Sequence, residues 1–146
     1  MPEQETLERA REDEREGLSP STQAGEFVRE EMEHIRDGEH GARSPEQAIA
    51  IGLSQARRAG VRLSPPKRGR ARTKRQAKRD LAKSRPRKQP SLTRSRAVRG
   101  ALKREGRRSA SRKALSRHAK RAARARSATS RSAAARKAAR TRKRRR

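Results

Sequence analysis

The stretch Ser44-Pro45-Glu46-Gln47-Ala48-Ile49-Ala50-Ile51-Gly52-Leu53-Ser54-Gln55-Ala56-Arg57-Arg58-Ala59-Gly60 decides the fold, because every local signal in it agrees. Ser44 is placed to cap a helix, and Pro45 takes the first helical position, where a missing N–H costs nothing. Gln47 completes a capping box, so a helix is expected over 48–59, with Gly60 as its left-handed stop. Ile49, Leu53 and Ala56 form an apolar stripe. Ala48, Gly52 and Ala56 recur every four residues, a spacing that lets a partner helix approach closely.

Working outward toward the N-terminus, Gly38-Glu39-His40-Gly41 is a turn. Before it, Ser21 or Thr22 caps a second helix running to about Asp37, where Gly38 stops it. Val28, Met32 and Ile35 fall at i, i+4 and i+7 with Phe27 beside them, while Glu26, Arg29, Glu30 and Glu33 are expected on the charged side. Two amphipathic helices joined by a short glycine-containing turn make an αα-hairpin over about 21–60. This hairpin lies in a module spanning 21–66. Its few large apolar side chains barely offset the ordering entropy, so it stands to gain from a second copy or a protein partner through residues 21–63. Residues 1–20 form a charged, acidic N-terminal segment, in which 6–16 suggest a frayed, solvated helix. Either this segment folds back on the basic half in competition with DNA, or it serves solubility.

Past Pro65-Pro66 the composition changes. Residues 67–146 hold 35 of the chain's 44 Lys and Arg residues with two acids, Asp80 and Glu105, for a net +33, whereas 1–66 carry −5. Helix-compatible pieces at 71–83 and 91–104 are punctuated by Pro86, Pro90 and Gly106, and from Arg107 onward neither Pro nor Gly occurs. Phe27 is the single aromatic residue of the chain, and after Leu115 no apolar side chain is larger than alanine. Such a segment cannot bury enough surface to offset backbone entropy of about 1–2 kcal/mol per residue. The expected fold class is therefore mostly α: a short helical hairpin followed by a long, basic, low-complexity tail over 67–146, intrinsically disordered or conditionally helical.

A long cationic run calls for a polyanion. The candidate nucleic-acid-binding residues are Lys67, Arg68, Gly69 and Arg70, then Arg107, Arg108, Arg112, Lys113, Lys120, Arg121, Arg124 and Arg126, and finally Arg136, Lys137, Arg140, Arg142, Lys143, Arg144, Arg145 and Arg146. Lys67-Arg68-Gly69-Arg70 resembles the core of an AT-hook, in which Arg-Gly-Arg lies extended in the minor groove; that pattern continues with proline, where this chain has Ala71. The tail has no aromatic residue for base stacking, and the chain has no Asn to read adenine. The partner expected is duplex DNA, bound through backbone and shape rather than sequence, in a nucleoid-associated, histone-like role. RNA binding, including ribosome association, is the alternative, since phosphate contacts alone do not separate the two. A third reading is an adaptor whose hairpin binds a protein.

No nucleophile with an oriented base, P-loop or carboxylate pair suggests an enzyme, and no cofactor is expected. His34, His40 and His118, even with Glu30 one turn before His34, match no recognised ligand spacing, so no metal site is expected. The absence of cysteine rules out disulfides. No apolar run approaches the roughly 20 residues of a membrane span. The N-terminus lacks the marks of a secretory signal, which gives the cytoplasm as the expected location.

The stretch from Gly25-Glu26-Phe27-Val28-Arg29-Glu30-Glu31 through Gly41-Ala42-Arg43-Ser44-Pro45-Glu46-Gln47 to Ala59-Gly60 resembles a family of small basic bacterial proteins, over about residues 20–66 and more loosely at Ala101-Leu102-Lys103-Arg104-Glu105-Gly106. The resemblance implies a bacterial, intracellular protein and carries over no catalytic or binding residues. In composition alone, the Arg/Lys/Ala tail is similar to bacterial linker-histone-like proteins.

Overall fold

The structure, a computed structural model, describes residues 2–84 and 91–144. Pro86, Pro90, Arg145 and Arg146 lie outside them. Among the described residues the chain is helical, with α1 Gln4–Arg15, α2 Pro20–Asp37, α3 Pro45–Arg58, α4 Ala71–Ala82, α5 Leu92–Lys103, a 3-10 turn Arg107–Ala110, α6 Arg112–Arg124 and α7 Ala128–Arg144, and no strand. It divides into two compact units, 1–111 and 112–146.

The first unit is built on the α2–α3 hairpin. Ser44 Oγ accepts the Gln47 N–H at 3.2 Å, as the cap requires. The return bond shifts by one residue: Gln47 Oε1 accepts from Arg43 N–H at 2.8 Å. Gly38 ends α2 in the left-handed conformation at φ +87. The small-residue spacing of α3 is explained by α2. Ala48, Gly52 and Ala56 are buried, and a β-carbon at Gly52 would stand 2.8 Å from Val28 Cα. Ile49 and Leu53 lie beside this seam and are only half-buried.

The N-terminal helix departs from expectation. Rather than fraying in solvent, α1 packs on α2 and places Ala10 and Leu7 in the cluster of Ala24, Phe27, Ala56 and Val61. Arg9 Nε donates to Glu26 Oε2 at 2.8 Å, and Glu3 N–H donates to Glu30 Oε1 at 2.6 Å. Glu26 and Glu30, expected on an exposed charged face, are therefore buried against α1. Part of the apolar face of the hairpin is thus covered by α1.

The expectation of a disordered tail is likewise corrected, because the described part of 67–146 is mostly helical. Ala, Arg and Lys are good helix formers, and their summed propensity opposes the charge repulsion. For 71–110 the hairpin adds tertiary anchors. Asp80 on α4 is buried and accepts from Ser54 Oγ at 2.8 Å and Arg58 Nε at 3.0 Å. Further along, Gly41 N–H donates to Leu102 O at 2.9 Å, Ala42 N–H to Gly106 O at 3.2 Å, and Arg36 Nε to Ala110 O at 3.1 Å. The charge boundary at residue 66 and the packing boundary at residue 111 are thus different places.

The second unit consists of α6 and α7. Neither helix buries a residue. They are separated at Ala125-Arg126-Ser127, where Ser127 Oγ accepts the Ser130 N–H at 3.2 Å and restarts the helix.

Candidate nucleic-acid interface

The second unit concentrates charge without any acid. Residues 112–146 contain 16 Lys or Arg and no Asp or Glu, and every Lys and Arg from Arg112 to Arg144 is exposed. On α6, at about 100° per residue, Arg112, Lys113, Arg117, Lys120, Arg121 and Arg124 fall within about half of the circumference. Ala114, Leu115, His118, Ala119 and Ala122 occupy the other half, and the first three of these are half-buried. This helix is about 20 Å long and carries a one-sided cationic face. On α7, about 26 Å long, Arg131, Arg136, Lys137, Arg140, Arg142, Lys143 and Arg144 are distributed all round.

The structure distributes the sequence-predicted contacts over more than one place. Lys113, Lys120, Arg121 and Arg124 share the α6 face with Arg112, Arg126 sits in the break, and Arg136 to Arg144 belong to α7. Arg107 and Arg108 are exposed in the 3-10 turn of the first unit. The Arg107 side chain lies against the C-terminal end of α2: a β-carbon at Gly38 would meet its Nη1 at 3.0 Å. A cation there complements the helix dipole, giving Arg107 a structural task as well. Lys67, Arg68, Gly69 and Arg70 are exposed, but the chain bends through 67–69, with Gly69 at φ +114, and Arg70 then caps α4. The extended Arg-Gly-Arg of an AT-hook is not the conformation adopted.

The two acids of the basic half fix its first portion against the hairpin. Asp80 pairs with Arg58 at 3.0 Å, and Glu105 lies 3.6 Å from Arg43. The sequence singled them out only as the two acids of that half.

A second polar cluster lies at the far end of α2. Glu30 and Glu31 are 3% and 0% exposed. His34 Nε2 approaches Glu3 Oε1 at 3.3 Å and Glu30 Oε1 at 3.9 Å. His40, delivered by the turn after Gly38, puts Nε2 3.6 Å from Glu31 Oε1. Burial pushes the Glu31 carboxyl above the usual carboxylate range, against the opposing pull of His40 and His34. Sequence reasoning weighed His34, His40 and Glu30 and set them aside, and it missed Glu31 and Glu3. The helical spacing of Glu30 and Glu31 to His34 was a partial signal, but the approach of His40 and Glu3 is tertiary.

No protein-family model, curated protein or solved structure matches the chain. No helix among the described residues is long and apolar enough to cross a membrane.

Proposed function

We propose that the protein binds duplex DNA without sequence specificity, as a nucleoid-associated, histone-like protein that neutralises backbone phosphates. The observation that carries this reading is the second unit, two helices with no buried residue and no acid whose described cations are all exposed. Helices without a core of their own and with like charges at i,i+4, such as Lys113–Arg117, Lys120–Arg124 and Arg136–Arg140, are relieved of repulsion by a polyanion. B-DNA is that polyanion in dense form, with one charge per about 1.7 Å of axis.

Helical geometry supports DNA over duplex RNA. An α-helix of about 10–12 Å diameter fits a B-form major groove about 12 Å wide, whereas the A-form major groove is too deep and narrow to admit it. The one-sided face of α6 suits such an approach, and the exposed cations of α7 can follow the phosphates.

The test is equilibrium binding to duplex DNA at several salt concentrations. With about ten phosphates contacted, log K should fall against log salt with a slope near −9, and scrambled sequences should bind within a few-fold of one another. A slope shallower than about −3 or strong preference for one sequence would contradict the proposal. Equal or tighter binding to double-stranded RNA of the same length would favour the RNA reading instead.

A further inference from the structure

The acid–histidine cluster at the end of α2 has features that a solvated charge network lacks. Glu31 is fully buried, its Oε2 accepts from Gln55 Nε2 at 3.3 Å, and its Oε1 has no hydrogen-bond partner. His40 Nε2 stands 3.6 Å from that oxygen. The other ring nitrogen of His40, Nδ1, lies 3.2 Å from Gly41 O. A carbonyl accepts and cannot donate, so Nδ1 is the donor in that contact and Nε2 is the ring nitrogen left facing the carboxylate. A buried carboxylate oxygen without a hydrogen bond thus faces a ring nitrogen, an arrangement that calls for a positive occupant between them, a proton or a metal ion.

The spacing says what. A hydrogen bond would draw the two atoms to about 2.7–3.2 Å. Adjacent nitrogen and oxygen ligands of a tetrahedral zinc ion, each at about 2.0–2.1 Å from the metal, stand about 3.3 Å apart. His34 completes a set, since one ligand atom from each of Glu31, His34 and His40 lies within 4.8 Å of the others. Glu30 Oε2, also buried and without a hydrogen-bond partner, adds negative charge one turn before His34. The outer contacts are those of a metal site. Gln55 holds the far oxygen of Glu31 and Gly41 O fixes the tautomer of His40, just as neighbours orient ligating side chains elsewhere. His40 also lines an open cleft of about 510 Å³, together with Asp37, Gly38, Glu39, Lys103, Glu105 and Arg107, which gives an ion a way in.

We propose that Glu31, His34 and His40 form a binding site for a borderline first-row divalent cation of the zinc type. Two imidazoles with a carboxylate select such an ion over Mg2+ or Ca2+, which prefer oxygen throughout. The ion joins α2 to the turn at 39–42. Through the Gly41–Leu102 and Ala42–Gly106 hydrogen bonds it also secures the docked segment 102–110. The proposal is independent of the nucleic-acid reading.

The test uses the untagged, full-length chain, stripped with chelator and titrated calorimetrically with zinc chloride. We expect one zinc per chain at micromolar affinity or tighter, a rise in melting temperature on zinc addition, and no saturable binding of magnesium. Cobalt(II), used in place of zinc, should give a visible d–d absorption at the same stoichiometry. Glu31→Gln and His40→Gln should each weaken zinc binding by at least about tenfold, whereas His118→Gln should not change it. Glu31→Gln removes a buried charge, so the metal-free variant should remain folded by circular dichroism; should it not, His40→Gln, whose ring is partly exposed, decides the matter. Absence of saturable zinc binding, or affinity unchanged in both Glu31→Gln and His40→Gln, overturns the proposal and leaves a proton as the occupant of the gap.

Discussion

Arg58 on α3 clasps Asp80 on α4, with Nη2 and Nε each 3.0 Å from Oδ1, while Ser54 Oγ donates to Oδ2 at 2.8 Å and Gln76 Nε2 to Oδ1 at 3.1 Å. Asp80 is 1% exposed, whereas about half of the Arg58 side chain reaches solvent. Together with Glu105 beside Arg43, this gives the basic half its only two acids and sets both against arginines of the hairpin. Opposite charge is used here to hold like-charged chain against the body of the fold.

The asymmetric burial of that pair predicts asymmetric damage. Arg58→Ala leaves a buried carboxylate short of its counter-ion and should cost about 3 kcal/mol. Asp80→Ala leaves an arginine that water can solvate, and should cost about 1–2 kcal/mol. Urea unfolding of the full chain checks the order. Equal costs, or a larger one for Asp80→Ala, would refute it.

Gly41 should be intolerant of a side chain. A β-carbon there would lie 2.0 Å from Glu105 O and 2.7 Å from Gly106 O, both backbone atoms. Gly41→Ala should therefore undock 102–110 while sparing α2 and α3. Amide exchange at residues 41 and 42 is the measurement, with protection expected to fall by an order of magnitude or more as the bonds to Leu102 and Gly106 open.

The hairpin seam should respond differently. Gly52→Val would press side-chain atoms onto the α2 backbone, where a β-carbon is already 2.8 Å from Val28 Cα and 3.0 Å from Phe27 O. Overpacking of this kind costs about 1–3 kcal/mol. The melting temperature should drop, and exchange should accelerate across both α2 and α3 rather than at the turn alone.

The α6 face predicts a change in salt dependence. Replacing Lys113, Arg117, Lys120 and Arg124 by Gln removes four cations that share one side of the helix. If each contacts a phosphate, the slope of log K against log salt should become shallower by about 3–4. Retention of the full slope would mean that α6 does not face the DNA.

Deletion of 112–146 gives the complementary result. The remaining chain keeps every acid of the protein and all helices from α1 to α5, so its far-ultraviolet circular dichroism should still be strongly helical. Its DNA affinity at moderate salt should fall by more than about 100-fold, because the densest run of phosphate contacts is gone. Undiminished binding would move the interface to the first unit.

Helix identity was written locally. Ser44, Pro45 and Gly60 delimit α3, Gly38 stops α2, and the alanine- and arginine-rich pieces of the basic half carry helical propensity without help from afar. The charge distribution, and with it the class of partner proposed, is also a property of composition alone. Tertiary structure decided which faces are inside. Glu26 and Glu30 look like solvated positions by helical period, and become buried because α1 covers them, while Glu31, in register with Phe27 and Ile35, is buried beside α3 and the turn at His40. The composition of 67–146 supplies no core of its own, yet 71–82 and the 3-10 turn settle against a core supplied by the hairpin. The reason is physical: propensity and capping act over one turn of helix, whereas burial depends on residues brought together from 24 to 74 positions apart, such as Glu31 with Gln55 and Arg36 with Ala110.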